Sequence, residues 1–166
     1  PHLVDALHRR AAAGLAGASG AEALERRARH LVAVGSGDEA TAALITAADR
    51  WRYDHALLAS ERAARAALDV AQAPGMRAAA ADALARCLAA QGRWTEALEL
   101  DQATVAEHGD TTERRLRRAS SALDAGRPEL AEAVIADALA QSDHSPSLVL
   151  LAGRAARSRG DSTAAL

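Results

Sequence analysis

Not one of the 166 residues is lysine; all 20 basic side chains are arginine. That excludes a P-loop lysine, a Schiff-base lysine and a kinase-type lysine within this chain. Phenylalanine is also absent, and aromatic residues make up 2%. Cys87 is the single cysteine, so no internal disulfide and no multi-cysteine zinc site can form. One thiol fits a reducing compartment, and a cytoplasmic location is expected. No apolar run approaches the ~20 residues of a membrane span, and no signal-peptide pattern is present, so no membrane partner is expected. The formal net charge of −2 leaves no basic excess to draw the chain to nucleic acid.

Alanine dominates what is there, at 47 of 166 residues. It is the best helix former and a poor strand former, so the composition points to helices packed at close range and excludes a large sheet. Turn signals divide the chain into helix-sized pieces. Leu3, Leu7, Ala11 and Leu15 fall on one face of a helix over 2–15, and Leu24, Ala28, Leu31 and Val32 form a stripe over 21–34. Asp38 and Glu39 look like the acidic first turn of a third helix, which bends or stops near Trp51, Arg52 and Tyr53. Asp54 is placed to cap a fourth helix over 55–71, and Pro74-Gly75 reads as the clearest stop. Further helices are expected over 76–90, 94–107, 112–125, 128–141 and 146–158, with a last one starting near Ser162. The short connections imply antiparallel neighbours. Because the chain opens on Pro1 and closes on Leu166 inside a helical pattern, it reads as a piece of a longer protein.

Gly92, Gly126 and Gly160 lie 34 residues apart, twice over. Seven residues before them stand Ala85, Ala119 and Gly153; five residues after them stand Ala97, Ala131 and Ala165. Glycine at a helix end can take the left-handed conformation that satisfies orphan carbonyls, and small residues let two helices cross closely. Pro128 sits where a first helical turn needs no N–H. A single pair of helices cannot bury its own apolar face, so the pairs are expected to stack. The fold class is all-α, an α-solenoid of stacked antiparallel helix pairs with nine or ten helices. It divides into an N-terminal pair (1–37), a degenerate repeat (38–75) and the regular repeats (76–166).

Residues 77–166 resemble tetratricopeptide repeats, two complete and a third broken after its first helix. Ala81, Leu84, Ala85, Leu88, Trp94 and Ala97 fall on the family's signature positions. In the second unit Arg115 and Arg118 replace large apolar residues, while Leu116, Ala119 and Leu123 form the apolar stripe. Residues 38–71 resemble a further, degenerate pair through the run from Trp51 to Leu57. A second resemblance covers residues 1–71. The runs from Leu7 to Leu15, Arg27 to Gly35 and Asp38 to Ala48 are similar to a stretch of the ATP-binding LuxR-type regulators, relatives of the maltose activator. The resemblances imply a non-enzymatic protein-interaction or ligand-sensing module within a transcription regulator, needing no cofactor and touching neither ATP nor DNA in this segment. A free-standing adaptor is the alternative. They also imply a groove lined by Asp82, Arg86, Glu113, Leu116, Ser120, Leu150, Arg154 and Arg157. Arg86, Arg154 and Arg157 would there meet the carboxylates of a protein or peptide partner, with a small-molecule effector as the other ligand class. Self-association through an apolar edge near Leu166 is a further expectation.

The residues that could carry chemistry have plainer readings. Cys87, between Leu84 and Leu88, reads as a small buried hydrophobe. His8 and His30 are placed to meet where the first two helices pack, but two nitrogens fall short of a metal's ligand set. Gly35-Ser36-Gly37 has neither a preceding strand nor a lysine for a phosphate cradle. Arg114, Arg115, Arg117 and Arg118 crowd one helix, with Glu107, Asp110 and Glu113 near enough to neutralise them; a salt-bridged face is expected in preference to an acidic-ligand site. No paired-carboxylate, Cys–His or metal constellation supports a helical enzyme.

Overall fold

Alanine's helix propensity is realised throughout the computed structural model, which describes residues 2–140 and 145–158. Among these residues there are nine helices and no strand: α1 (His2–Gly14), α2 (Ala21–Ala33), α3 (Gly37–Tyr53), α4 (Leu57–Val70), α5 (Pro74–Ala90), α6 (Trp94–His108), α7 (Thr112–Asp124), α8 (Pro128–Ala140) and α9 (Pro146–Ser158). None is long and apolar enough to cross a membrane. The expected helix near Ser162, the repeat residues Gly160 and Ala165, and the edge at Leu166 lie outside the described residues.

The chain divides into two compact units, 1–91 and 92–166. In the first, each helix packs on the next, and α3 also packs on α5. In the second, α6 to α9 do the same, and α7 also packs on α9. Packing of neighbours and of every second helix is the contact pattern of a helical-repeat stack, so the fold is all-α, of antiparallel helix pairs laid side by side. The first unit's core gathers Ala12, Ala28, Leu31, Ala40, Ala43, Leu44, Ala67 and Ala80. The second has Ala119, Ile135, Ala138, Leu148, Leu151 and Ala155, with Leu98, Ala122 and Ala131 beside them.

The turns inside the repeats share one geometry. Gly35, His55, Gly92 and Gly126 all have positive φ, and a new helix begins two residues after each. At three of them both bonds of the Schellman motif are in place. Ser36, Ala56 and Arg127 donate to the carbonyls of Leu31, Trp51 and Ala122 at 2.8–2.9 Å, while Gly35, His55 and Gly126 donate to Val32, Arg52 and Leu123 at 3.0–3.1 Å. His55 therefore occupies the repeat-glycine position of the first unit at φ 60°, a conformation in which histidine is among the enriched non-glycine residues. Ala48, seven residues before it, and Ser60, five after it, hold the small-residue positions, and both are fully buried.

Three details differ from expectation, and one spacing departs from the 34-residue period. Asp54 ends α3, and Ala56 is the N-cap of α4. Pro74-Gly75 do not separate helices; they open α5, where proline's fixed φ suits the first turn and its missing N–H leaves no bond unmade. The spacing from His55 to Gly92, three residues longer than the later period, reflects a 17-residue α5 against a 13-residue α7. In α1, Leu3 and Leu7 are 74% and 59% exposed, and the packing face is instead Asp5, His8 and Ala12. Helical periodicity identifies a shared face without saying which face turns inward.

Gly37, at the start of α3, is buried for want of room: a Cβ there would lie 2.7 Å from the Val70 carbonyl oxygen and 2.9 Å from Gln72 Cδ. Asp38 beside it accepts from the Gln72 and Ala73 N–H groups at 2.9 and 3.0 Å, tying α3's start to the α4–α5 turn. Replacing Gly37 with Ala is expected to cost about 1–3 kcal/mol by overpacking. Gly75→Ala meets open space within a helix and should be neutral or gain up to about 1 kcal/mol. Urea unfolding of the two variants measures the contrast.

Candidate functional site

Helices α5, α7 and α9 carry the expected groove residues, and α3 packs beside α5 in the first unit. Counting from the left-handed turn residue gives the register. Six residues before His55, Gly92 and Gly126 stand Asp49, Arg86 and Ser120, and Arg154 follows Ser120 at the 34-residue period. In the first unit two of these meet: Arg86 reaches Asp49 at 3.2 Å, and Arg52 reaches the same carboxylate at 3.3 Å. Asp82, one turn before Arg86, is half-buried and engaged. In the second unit Arg154 bonds Asp124 at 2.9 Å, and the Ser120 hydroxyl reaches Asp124 at 3.4 Å. Leu150, Arg157 and Glu113 are exposed. Leu116 is partly buried against the core formed by Ala119 and Leu148.

Two of the three arginines expected to meet a partner's carboxylate thus already hold one. Sequence reasoning missed Asp49 and Asp124. Asp49 was detectable as the register equivalent of Arg86 once His55 is recognised as a glycine position. Asp124 had no such signal, because its pairing depends on how α9 lies along α7. Both pairs are about two-fifths exposed, so each is worth about 0–1 kcal/mol and can be exchanged for another anion at little cost.

The four arginines of α7 are drawn into the structure. Arg114 is buried, with its guanidinium bonded to the Gly109 carbonyl at 2.6 Å. Arg115 and Arg118 close on Asp110 at 3.1 and 2.6 Å. Arg117 forms a bidentate pair with Asp101 of α6 at 2.5–3.0 Å, and the Asp101 side chain is fully buried. The expected salt-bridged face is therefore internal, and Asp101 and Asp110 supply acid to it where Glu107, Asp110 and Glu113 were expected. Thr111 completes the helix start by accepting from Arg114 N at 3.2 Å.

Cys87 is buried, with Sγ 2.9 Å from Ser60 Oγ. Ser60 gives its only proton to the Ala48 carbonyl at 2.7 Å, so the thiol donates to the serine. Burial pushes the Cys87 thiol above its ordinary value, partly offset by the nearby Arg86 charge. His8 and His30 do meet: their Nδ1 atoms are 2.9 Å apart, with ring centroids at 5.2 Å. At that distance one ring carries the shared proton and the other accepts it. No group of three or more His, Cys, Asp or Glu residues that could hold a metal ion occurs among the described residues.

Breaking the Arg117–Asp101 pair from one side strands a buried charge. Asp101→Ala is expected to lose about 3–5 kcal/mol, while replacing both partners with apolar residues recovers most of it; guanidinium unfolding of the three proteins compares them. Cys87 should resist a thiol-alkylating reagent in the folded protein and react on unfolding. Because its folded pKa is raised, its share of stability is complete below the ordinary thiol value of 9.0 and falls as pH climbs through the raised value. Reagent uptake against pH, with and without denaturant, checks both statements.

No protein-family model matches the chain, and no curated protein matches it in sequence.

Proposed function

We propose that the chain is a non-enzymatic, tetratricopeptide-like interaction module that recognises acidic peptide segments through the faces of α3/α5 and α7/α9. The observation that supports it most is the packing of every second helix, α3 on α5 and α7 on α9, with an arginine–aspartate pair spanning each junction. Stacking of this kind lays the same register position of successive repeats side by side, which is how repeat arrays build extended binding surfaces. Weak, half-exposed ion pairs keep arginine forks oriented for carboxylates while leaving them exchangeable. In this reading the segment belongs to the sensor region of a cytoplasmic LuxR-type ATP-binding transcription regulator, with nucleotide and DNA handled elsewhere in the protein. The run from Leu7 to Ala48 supports that placement by its likeness to those regulators.

A hexaglutamate peptide titrated into the protein tests the binding surface. Affinity should fall at least about tenfold between about 0.05 M and about 0.5 M salt. It should be lost when Arg86, Arg154 and Arg157 are all replaced by Glu. Salt-independent binding, or binding retained by the triple variant, overturns the assignment. The parent reading frame tests the rest: a P-loop upstream and a helix-turn-helix downstream are expected, and their absence leaves a free-standing adaptor.

A further inference from the structure

A trough opens between α2 and α4, over α3. Both flanking helices pack against α3, and the residues along the walls are small, Ala28 on α2 and Ala63 and Ala66 on α4, so the space between them stays open. Leu44 of α3 forms the floor, and Val32 and Val70 stand at one end. Val32 is 45% exposed, an apolar side chain held at the lip of an apolar slot. The other end is polar and uneven in charge. Glu25 and Arg29 lie one turn apart on α2 and both line the trough. Glu25 Oε1 is taken up by Trp51 Nε1 at 2.9 Å and by Arg62 at 3.4 Å. Arg29 has no ion-pair partner among the described residues and is exposed at the rim. The acid is therefore satisfied within the fold and the cation is not.

We propose that this trough binds a straight-chain aliphatic carboxylate of medium length. The carboxylate pairs with Arg29, whose planar fork suits two oxygens, and the chain runs over Leu44 between Ala28 and Ala66 toward Val32 and Val70. The inference rests on the sensor-region reading within the proposed function and gives it a place and a chemical class. Size selects the occupant. The trough holds about 260 Å³. One turn of helix, about 10 Å across and 5.4 Å tall, displaces roughly 420 Å³, too much to enter. At about 30 Å³ for each group of water size, the same space takes roughly eight or nine chain carbons. The lining is nearly all hydrocarbon, so affinity should climb by about fourfold for each methylene buried until the slot is full.

The test titrates the full chain with butanoate, hexanoate, octanoate and decanoate, and with octanol as the uncharged control. Calorimetry gives the affinities. In a Trp94→Phe background the fluorescence of Trp51, bonded to Glu25 at the polar end, reports occupancy of the trough itself. Binding should strengthen up to about eight or nine carbons and then level off, with octanol at least about tenfold weaker than octanoate. Arg29→Gln, a surface change, should weaken octanoate at least about tenfold, and Ala66→Leu should abolish binding by filling the slot. Absence of octanoate binding, equal affinity for octanol, or an unchanged Arg29→Gln variant overturns the proposal. So does an amphipathic helical peptide that moves Trp51 fluorescence where octanoate does not. The Arg86, Arg154 and Arg157 triple variant separates the two readings. It should lose hexaglutamate and keep octanoate, so a peptide failure and a carboxylate failure are independently visible.

Discussion

Helix backbones in this chain come close because the side chains between them are small. Ala48 and Ser60 in the first unit, and Ala119 and Ala131 in the second, are all fully buried in their helix pairs. At the first of these positions the approach is close enough for the Ser60 hydroxyl to reach a main-chain carbonyl of the neighbouring helix. The rest of the architecture depends on that proximity. Cores built from alanine supply little apolar area per residue, so stability must come from many short-range contacts spread along the stack. Glycine or histidine in the left-handed conformation then turns the chain back at once, before the helices can splay.

A thin core also decides where charge goes. Arg115 and Arg118 of α7 are turned inward onto the single carboxylate of Asp110, which bonds both and offsets part of their charge. Arg117 and Asp101 form a similar closed pair deeper in α6–α7. Arginine suits these positions better than lysine does, because its aliphatic stem fills volume while the planar head meets a carboxylate with two bonds. The complete use of arginine across the chain is consistent with side chains that act as packing material as well as charge.

The positions of the nine helices among the described residues were legible because runs of alanine are broken by glycine, proline and acidic first turns. The repeat of the second unit was legible through Gly92 and Gly126. Its counterpart in the first unit was hidden, since His55 stands in for glycine, Ser60 for alanine, and α5 is longer than α7. The outward turn of Leu3 and Leu7 was not legible from the apolar pattern, although the meeting of His8 and His30 on the face that does pack was expected. In the candidate groove the arginines could be placed from the register, but Asp124 could not. The trough over Leu44 left no mark in the sequence at all, because it arises from three alanines on two helices that never touch in the pattern.

The long α5 separates two quantities that usually vary together. Its added residues extend the helix at Pro74, yet both flanking connections keep three residues, and Gly92 and Gly126 share a left-handed φ of 75° and 69°. At 1.5 Å per residue, the four residues by which α5 exceeds α7 make it about 6 Å longer. The slab formed by α3 and α5 is therefore wider than one built on α7 and α9, with hinges of the same kind. In this chain the breadth of a repeat can be retailored by growing one rod at its free tip, and the corners that set the spacing need no alteration.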